Sequence, residues 1–474
     1  MAVTDDMIYG GLLVFSVVLG YFLKRIHGYR KKQYISSAIG VVIGLLVCRV
    51  HIFHSLLTAT VNAIIIRLWP RYCHVISLVW CLGYIAFFRT THYLGLPPVP
   101  PHCNAVQLIL TLKLVGLAHE IHDTHVNEEE AKKNEGDEKI SLKNKYQNVN
   151  PTVWEMFLYV YCYIGLLTGP YFKYRTYHDM LSEANMDNID TAGPVLHKIK
   201  WVPLYAACFL IGGIFFSIQS VREEEFYEQP FWYRYIFMTP MFFLFRMRFY
   251  IAWTLAECMC IIAGLGAYPV LGKNKIGMGP TDYMGLEKAK SMAPEGIAYD
   301  FETVRNIDIH GCELSPTIRI GVRSWNTTVQ FWLANTIYRR LPFKSGPLNV
   351  AITMSVSAYW HGIYSGYYLS FLTVPLCMVA EEIMQAAFRN GKSPRQQIIY
   401  DWFAWFFKMR WFDYMCMSFL LLTWQDTIRY WRSVYFSGHV IALLFICIGM
   451  YFKTKKTKGV QDHKRQISKN VKEE

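Results

Sequence analysis

The chain has 474 residues, of which 53% are hydrophobic, 16% aromatic and only 18% charged, too little charge to cover a soluble protein of this length. Its net charge of +13 would suit nucleic acid in a soluble chain. Here the basic residues flank apolar blocks, so anionic headgroups are the simpler partner and nucleic acid is set aside; polyanionic small substrates are also favoured.

Apolar blocks recur through the sequence, at 8–23, 35–47, 153–169 and 440–451 among others. Roughly eleven to thirteen of them approach the ~20 residues a helix needs to cross the hydrocarbon core, and the shorter ones read as re-entrant or tilted pieces. The expected fold is all-α, a polytopic transmembrane helical bundle of about eleven spans. The first charges, Asp5 and Asp6, do not suit a cleaved signal. Lys24, Arg25, Arg30, Lys31 and Lys32 follow the first block and place that end in the cytoplasm, so the N-terminus is expected in the lumen. The basic tail at 453–474, with Lys453, Lys455, Lys456, Lys458, Lys464 and Arg465, is expected in the cytoplasm, which requires an odd number of crossings. The twelve Cys are scattered, mostly in apolar blocks, without zinc or disulfide spacing.

Three hydrophilic stretches interrupt the blocks, at 127–150, 173–200 and 273–319. The first reads as a charged, solvated loop tolerant of change. With no internal repeat, one membrane domain over 1–474 is the natural description. Just before that loop stands His119-Glu120-Ile121-His122-Asp123-Thr124-His125, which lacks the spacing of a zincin and reads as an interfacial segment, with no metal expected.

Polar side chains inside apolar blocks are the functional clues in a membrane protein. Arg246, Tyr250, Trp253 and Glu257 fall on one helical stripe that must face the interior or water. Arg246 and Glu257 are too far apart to pair, so each needs another partner, and structural bracing competes with phosphate binding. In Trp325-Asn326-Thr327-Thr328-Val329-Gln330, the amides of Asn326 and Gln330 lie one turn apart and can donate to a developing oxyanion. In Trp360-His361-Gly362, His361 shares a helical side with Ser357, Tyr364, Ser365 and Tyr368. Imidazole can take and return a proton near neutral pH. For both segments, hydrogen bonding between helices is the plain alternative.

The pairing of Trp325-Asn326 with Trp360-His361-Gly362 a few dozen residues on resembles the membrane-bound O-acyltransferase family. The R-x-R-x-Y-x-x-W-x-x-A-E stripe from Arg246 to Glu257 and Gly169-Pro170 resemble further family features. The segments SAYWHGIYSGYYLSFLTVPLC from Ser357, DYMCMSFLLL from Asp413 and DTIRYWRSVYF from Asp426 are similar to the branch that acts on lysophosphatidylinositol. That resemblance implies helices around a membrane-crossing tunnel in the endoplasmic reticulum. It implies acyl-CoA as co-substrate, with no other cofactor, and an acyl chain such as arachidonoyl passed to the sn-2 hydroxyl of a lysophospholipid in phosphatidylinositol remodelling. His361 would be the general base and Asn326 its catalytic partner, with Trp325, Gln330, Tyr359, Trp360, Arg246 and Tyr250 against substrate. The alternatives are another acceptor (a different lysophospholipid, sterol, diacylglycerol or protein) on the same fold, or a transporter using the same buried polar residues.

Overall fold

The computed structural model describes residues 2–453 apart from 98, 135, 184–185, 294–295 and 344–345; the basic cluster from Lys455 to Arg465 lies outside the described residues. The chain opens with α1 (Ala2–Lys24), α2 (Tyr29–Cys48), α3 (Ile52–Leu68), α4 (Cys73–Thr90), α5 (Pro101–Lys133), α6 (Glu138–Gln147) and α7 (Val153–Val160). Next come α8 (Tyr174–Ser182), α9 (Ala192–Ile199), α10 (Val202–Phe215), α11 (Glu224–Glu228), α12 (Phe231–Ile262) and α13 (Tyr283–Lys290). The rest are α14 (Ile309–Leu314), α15 (Ile318–Ser324), α16 (Thr327–Thr336), α17 (Gly346–His361), α18 (Ser365–Met384), α19 (Pro394–Leu421), α20 (Trp424–Ser433) and α21 (Ser437–Lys453). A two-residue antiparallel pair, β1 (Tyr268–Pro269) with β2 (Tyr299–Asp300), is set in register Tyr268 to Asp300. Helix dominates because lipid cannot hydrogen-bond a free backbone.

Six stretches are long and apolar enough to cross a bilayer: Asp6–Lys24, Tyr29–Leu68, Cys73–Leu94, Pro101–Lys133, Ala192–Arg222 and Ser365–Arg389. The pair α20 and α21, bent by 63°, makes a seventh. This is fewer than the eleven expected, for physical reasons. Helices α12 and α19 have 32 and 28 residues, ample for a crossing, yet Arg246, Arg248 and Glu257 on one and Lys408, Arg410 and Asp413 on the other interrupt their apolar character. The run Tyr29–Leu68 also contains two helices, broken at Arg49–His51. On α10, Leu210, Ile211, Ile214 and Phe215 are 58–78% exposed, an apolar surface of the kind that lipid covers. The chain is a multi-pass membrane protein.

The chain divides into two compact units. The first comprises the residues up to Ala207, with Met247–Asp308 and Trp325–Leu341. Its centre is α5, buried almost without interruption from Ile109 to His119. Polar groups here find partners: Gln107 donates to Thr58 Oγ1 at 3.1 Å and Asn62 to the Leu114 carbonyl at 3.3 Å. The fully buried Lys113 ammonium reaches the Cys162 and Ile164 carbonyls at 3.4 and 3.3 Å. Gly40 on α2 lets the helix close on the 161–163 backbone, where a Cβ would collide with the Tyr161 carbonyl.

The charged stretch 127–150 is more ordered than a solvated loop. Helix α5 carries it to Lys133, and Asp137 caps α6 by accepting from the Lys139 and Ile140 N–H groups. Glu287 of α13 then accepts from Lys145 Nζ at 2.5 Å and from the Tyr146 hydroxyl at 2.6 Å. Gln147 bonds Tyr283, whose ring stacks on Tyr146 at 5.6 Å.

The second unit comprises Cys208–Arg246, Ile309–Ser324 and the chain from Pro342 on. One core joins α12, α19 and α20 through Met238, Met241, Tyr414, Met417, Tyr430 and Trp431. A second joins Ile318, Val374, Cys377, Trp411 and Ala442. Helix α17 stops at His361 and α18 begins at Ser365. The polar side expected to run from Ser357 to Tyr368 on one helix is therefore divided by a break. A segment distant in sequence packs at the break: a Cβ at Gly366 would strike the 418–422 backbone, and the Gly366 N–H donates to the Leu422 carbonyl at 2.6 Å.

Candidate active site

Asn326 stands immediately before α16 with φ 48° and ψ 54°, a left-handed conformation. Asn tolerates that region better than other residues with a Cβ, and such strain persists only where the surroundings fix it. They do. The Thr327 N–H donates to the Asn306 carbonyl at 2.8 Å, and the Thr327 hydroxyl to the Arg305 carbonyl at 2.5 Å. The Thr328 hydroxyl donates to Asn306 Oδ1 at 2.6 Å and accepts from the Tyr171 N–H at 3.1 Å. Below this layer, Glu257 Oε1 accepts from the Asn306 and Ile307 N–H groups at 2.7 and 2.8 Å, while its other oxygen pairs with Lys198 at 2.7 Å. One buried carboxylate thus fixes the segment that fixes Asn326.

Trp325 packs on α12, its ring 4.8 Å from Trp253, 5.6 Å from Phe249 and 6.0 Å from Tyr250. Tyr250 is fully buried and also meets Tyr205. Gln330 lies one turn into α16, half-buried, with its N–H on the Asn326 carbonyl. The first unit therefore brings Tyr250, Trp325, Asn326 and Gln330 into one neighbourhood.

His361 is the last residue of α17, in the second unit. Its half-buried ring lies against aromatic faces: Phe371 at 5.1 Å, nearly parallel, Phe419 at 5.4 Å, edge-on, and Tyr367 at 6.0 Å. Trp360 is buried and its ring is 4.8 Å from that of His361; Tyr359, one residue earlier, is half-buried. Arg246, also in the second unit, is buried, its Nε 2.7 Å from Glu313 and its guanidinium 4.1 Å over the Phe242 ring. Arg246 and Glu257 thus each have a separate partner, and all four members of the α12 stripe are buried.

The sequence reading missed a cavity of about 640 Å³ in the first unit, well within the span of ligand pockets. Its walls come from stretches far apart in sequence: Tyr146 and Gln147, residues 173–183, and residues 264–299. Glu120, within α5, accepts the Tyr174 and Arg175 N–H groups at 2.7 and 3.0 Å and so anchors the start of α8. Arg175 pairs with Asp179 at 2.8 Å, and Tyr268 donates to the other Asp179 oxygen at 2.8 Å. Burial pushes the Asp179 carboxyl up, but His178, Arg175 and Tyr268 outweigh it and hold the group below the usual carboxylate range. Burial and Asp179 push the Tyr268 phenol up, so it remains a donor at neutral pH. Two lining cations lie over aromatic rings: Lys173 over Phe331 at 5.6 Å and Lys290 over Tyr146 at 4.6 Å, with Glu120 and Glu287 within electrostatic reach of them. Neither is ion-paired among the described residues.

Comparison with known proteins decides the family. The profile of the membrane-bound O-acyltransferase family matches residues 53–422. A membrane-bound acylglycerophosphatidylinositol O-acyltransferase of Xenopus laevis is 44% identical over 465 residues, covering 98% of this chain and 97% of its own. Its namesake in Homo sapiens is 43% identical, covering 94% of each chain, and that in Caenorhabditis elegans is 31% identical, covering 95% of each. The chain belongs to the membrane-bound O-acyltransferase family. It is an O-acyltransferase, and the matched span holds both Asn326 and His361.

Within this acyltransferase the His-rich segment is occupied structurally. His119 bonds the Val115 carbonyl, His122 the Arg71 carbonyl, each at 2.9 Å, and Asp123 pairs with Arg340 at 3.1 Å. Among the described residues no group of three or more His, Cys, Asp or Glu is arranged for a metal ion.

Proposed function

We propose that this O-acyltransferase moves an acyl chain from acyl-CoA to the free sn-2 hydroxyl of lysophosphatidylinositol, with arachidonoyl or a similar polyunsaturated donor, in the endoplasmic reticulum membrane. One observation carries the reading: the 44% identity, over 98% of the chain, to an acylglycerophosphatidylinositol O-acyltransferase. His361 takes the hydroxyl proton as the oxygen attacks the thioester carbonyl. The tetrahedral centre collapses, the new ester stays on the lipid, and the coenzyme A thiolate leaves and recovers the proton from the imidazolium. Asn326 donates its amide to the carbonyl oxygen as charge develops there. General-base help of this kind is worth about 10²–10⁴ in rate and an oxyanion donor a comparable factor. Trp325, Gln330, Tyr250, Tyr359 and Trp360 line the path of the substrates.

The cavity suits the coenzyme end of the donor. Lys173 and Lys290, without ion pairs among the described residues, offer cations for phosphates, and Tyr146, Tyr268, Tyr283 and Tyr299 offer faces for a purine. The test is purified protein with one labelled acyl-CoA and a panel of lysophospholipids. Lysophosphatidylinositol is expected to be the best acceptor and His361→Ala inactive at normal expression. Equal use of lysophosphatidylcholine would overturn the headgroup assignment, and an active His361→Ala the assignment of the base.

A further inference from the structure

The second unit buries a cluster of charges that the acyl-transfer step does not use. Thr239, Phe242 and Arg246 share a face of α12, at spacings of three and four. Arg410 and Asp413 lie on α19, and Glu313 on α14. Arg246 is 6% exposed and Asp413 1%. Each guanidinium has one carboxylate: Arg246 Nε meets Glu313 at 2.7 Å, and Arg410 Nη2 meets Asp413 Oδ2 at 2.8 Å. Thr239 donates to that same Asp413 oxygen at 3.0 Å. Asp413 lies within electrostatic reach of Arg246 and Glu313 as well as Arg410, so the two pairs form one cluster.

The pairing is incomplete in a specific way. Arg246 Nη1, Arg410 Nε and Asp413 Oδ1 are all buried without a hydrogen-bond partner. Buried polar atoms are almost always satisfied, and ionisable groups among apolar helices mark substrate paths. Two guanidinium donors complement the oxygens of a phosphate, because the planar fork matches that anion. A carboxylate oxygen beside them complements a hydroxyl. A phosphodiester joined to a polyol offers both within a few bonds.

We infer that Arg246, Arg410 and Asp413 hold the headgroup of the acceptor lipid, its phosphodiester on the two arginines and a headgroup hydroxyl on Asp413. This rests on the reading that the acceptor is lysophosphatidylinositol. The cluster is then a selectivity element for the acceptor.

Steady-state kinetics on the purified full chain tests it, with lysophosphatidylinositol and lysophosphatidic acid as acceptors and acyl-CoA as donor. Wild type must first acylate lysophosphatidylinositol; failure there overturns the acceptor reading and this site with it. Arg246→Lys and Arg410→Lys keep the charge for Glu313 and Asp413 but lose the forked donor. Each is expected to raise KM for lysophosphatidylinositol at least tenfold and to leave KM for acyl-CoA unchanged. Asp413→Asn is expected to cut the preference for lysophosphatidylinositol over lysophosphatidic acid about tenfold. A rise confined to KM for acyl-CoA would assign the phosphate to the donor and overturn the proposal, as would unchanged acceptor KM values in both lysine variants. If a variant expresses poorly, thermal stabilisation of its monodisperse fraction by lysophosphatidylinositol gives the same readout. Stabilisation equal to that of wild type overturns the site.

Discussion

The Thr328 hydroxyl donates to Oδ1 of Asn306 over 2.6 Å, and through this bond a side chain on α16 is tied to the loop that precedes α14. The same hydroxyl accepts the Tyr171 N–H, so one atom links three separate stretches of the first unit. Thr328→Val keeps the shape and removes both bonds. It leaves the buried Tyr171 N–H without its acceptor, a loss of roughly 1–3 kcal/mol. Thermal unfolding in detergent should show a Tm several degrees lower, with kcat reduced because Asn326 is less firmly held. Thr328→Ser retains the hydroxyl and should stay near wild type; equal behaviour of the two variants would remove Thr328 from this role.

The left-handed backbone of Asn326 allows its conformation and its chemistry to be separated. Gly adopts this region freely, whereas Ala pays about 1–2 kcal/mol for it. Asn326→Gly should therefore unfold near the wild-type temperature yet lose acyl transfer by two orders of magnitude or more, since the amide is gone. Asn326→Ala should lose both activity and stability. An active Asn326→Gly would show that only the backbone matters there.

The sequence displayed its helices clearly, because a bilayer leaves a long apolar block few other options. It also required partners for Arg246 and Glu257 without revealing them. Glu313 and Lys198 lie 67 and 59 residues away along the chain (from 246 to 313 and from 198 to 257), and no periodicity connects such pairs. The break after His361 was hidden for a similar reason: the apolar pattern continues across it, and the interruption comes from the 418–422 backbone packed against Gly366. The large cavity left no local mark at all. Its walls assemble from four distant stretches, one of which, around Tyr146, reads in isolation as an open charged loop.

Lys173 and Lys290 are the lining cations of that cavity free of ion pairs among the described residues, so they should carry its affinity for phosphate. Lys173→Gln and Lys290→Gln are each expected to raise KM for acyl-CoA about three- to tenfold, the factor for losing roughly 1 kcal/mol of charge-assisted bonding. The effect should shrink at high salt, since charge pairs open to solvent are screened. The acceptor KM should not change. Titration of acyl-CoA at two ionic strengths decides the matter, and an unchanged donor KM in both variants would place the coenzyme elsewhere.

Asp179 gives a pH dependence whose sign follows from its surroundings. Its carboxyl is held below the ordinary value, despite burial, by His178, Arg175 and Tyr268. A carboxylate with a depressed folded pKa adds stability above its unfolded pKa of about 4 and loses it as pH falls through the folded value. Asp179→Asn removes that contribution. At neutral pH the variant should melt several degrees below wild type, with the cavity wall around Tyr268 loosened and KM for acyl-CoA raised. The gap in Tm should stay constant from pH 7 to about pH 5 and close only below about pH 4, as the wild-type carboxylate takes up its proton. A gap that instead widened on acidification would mean the carboxylate is strained in place, not stabilising.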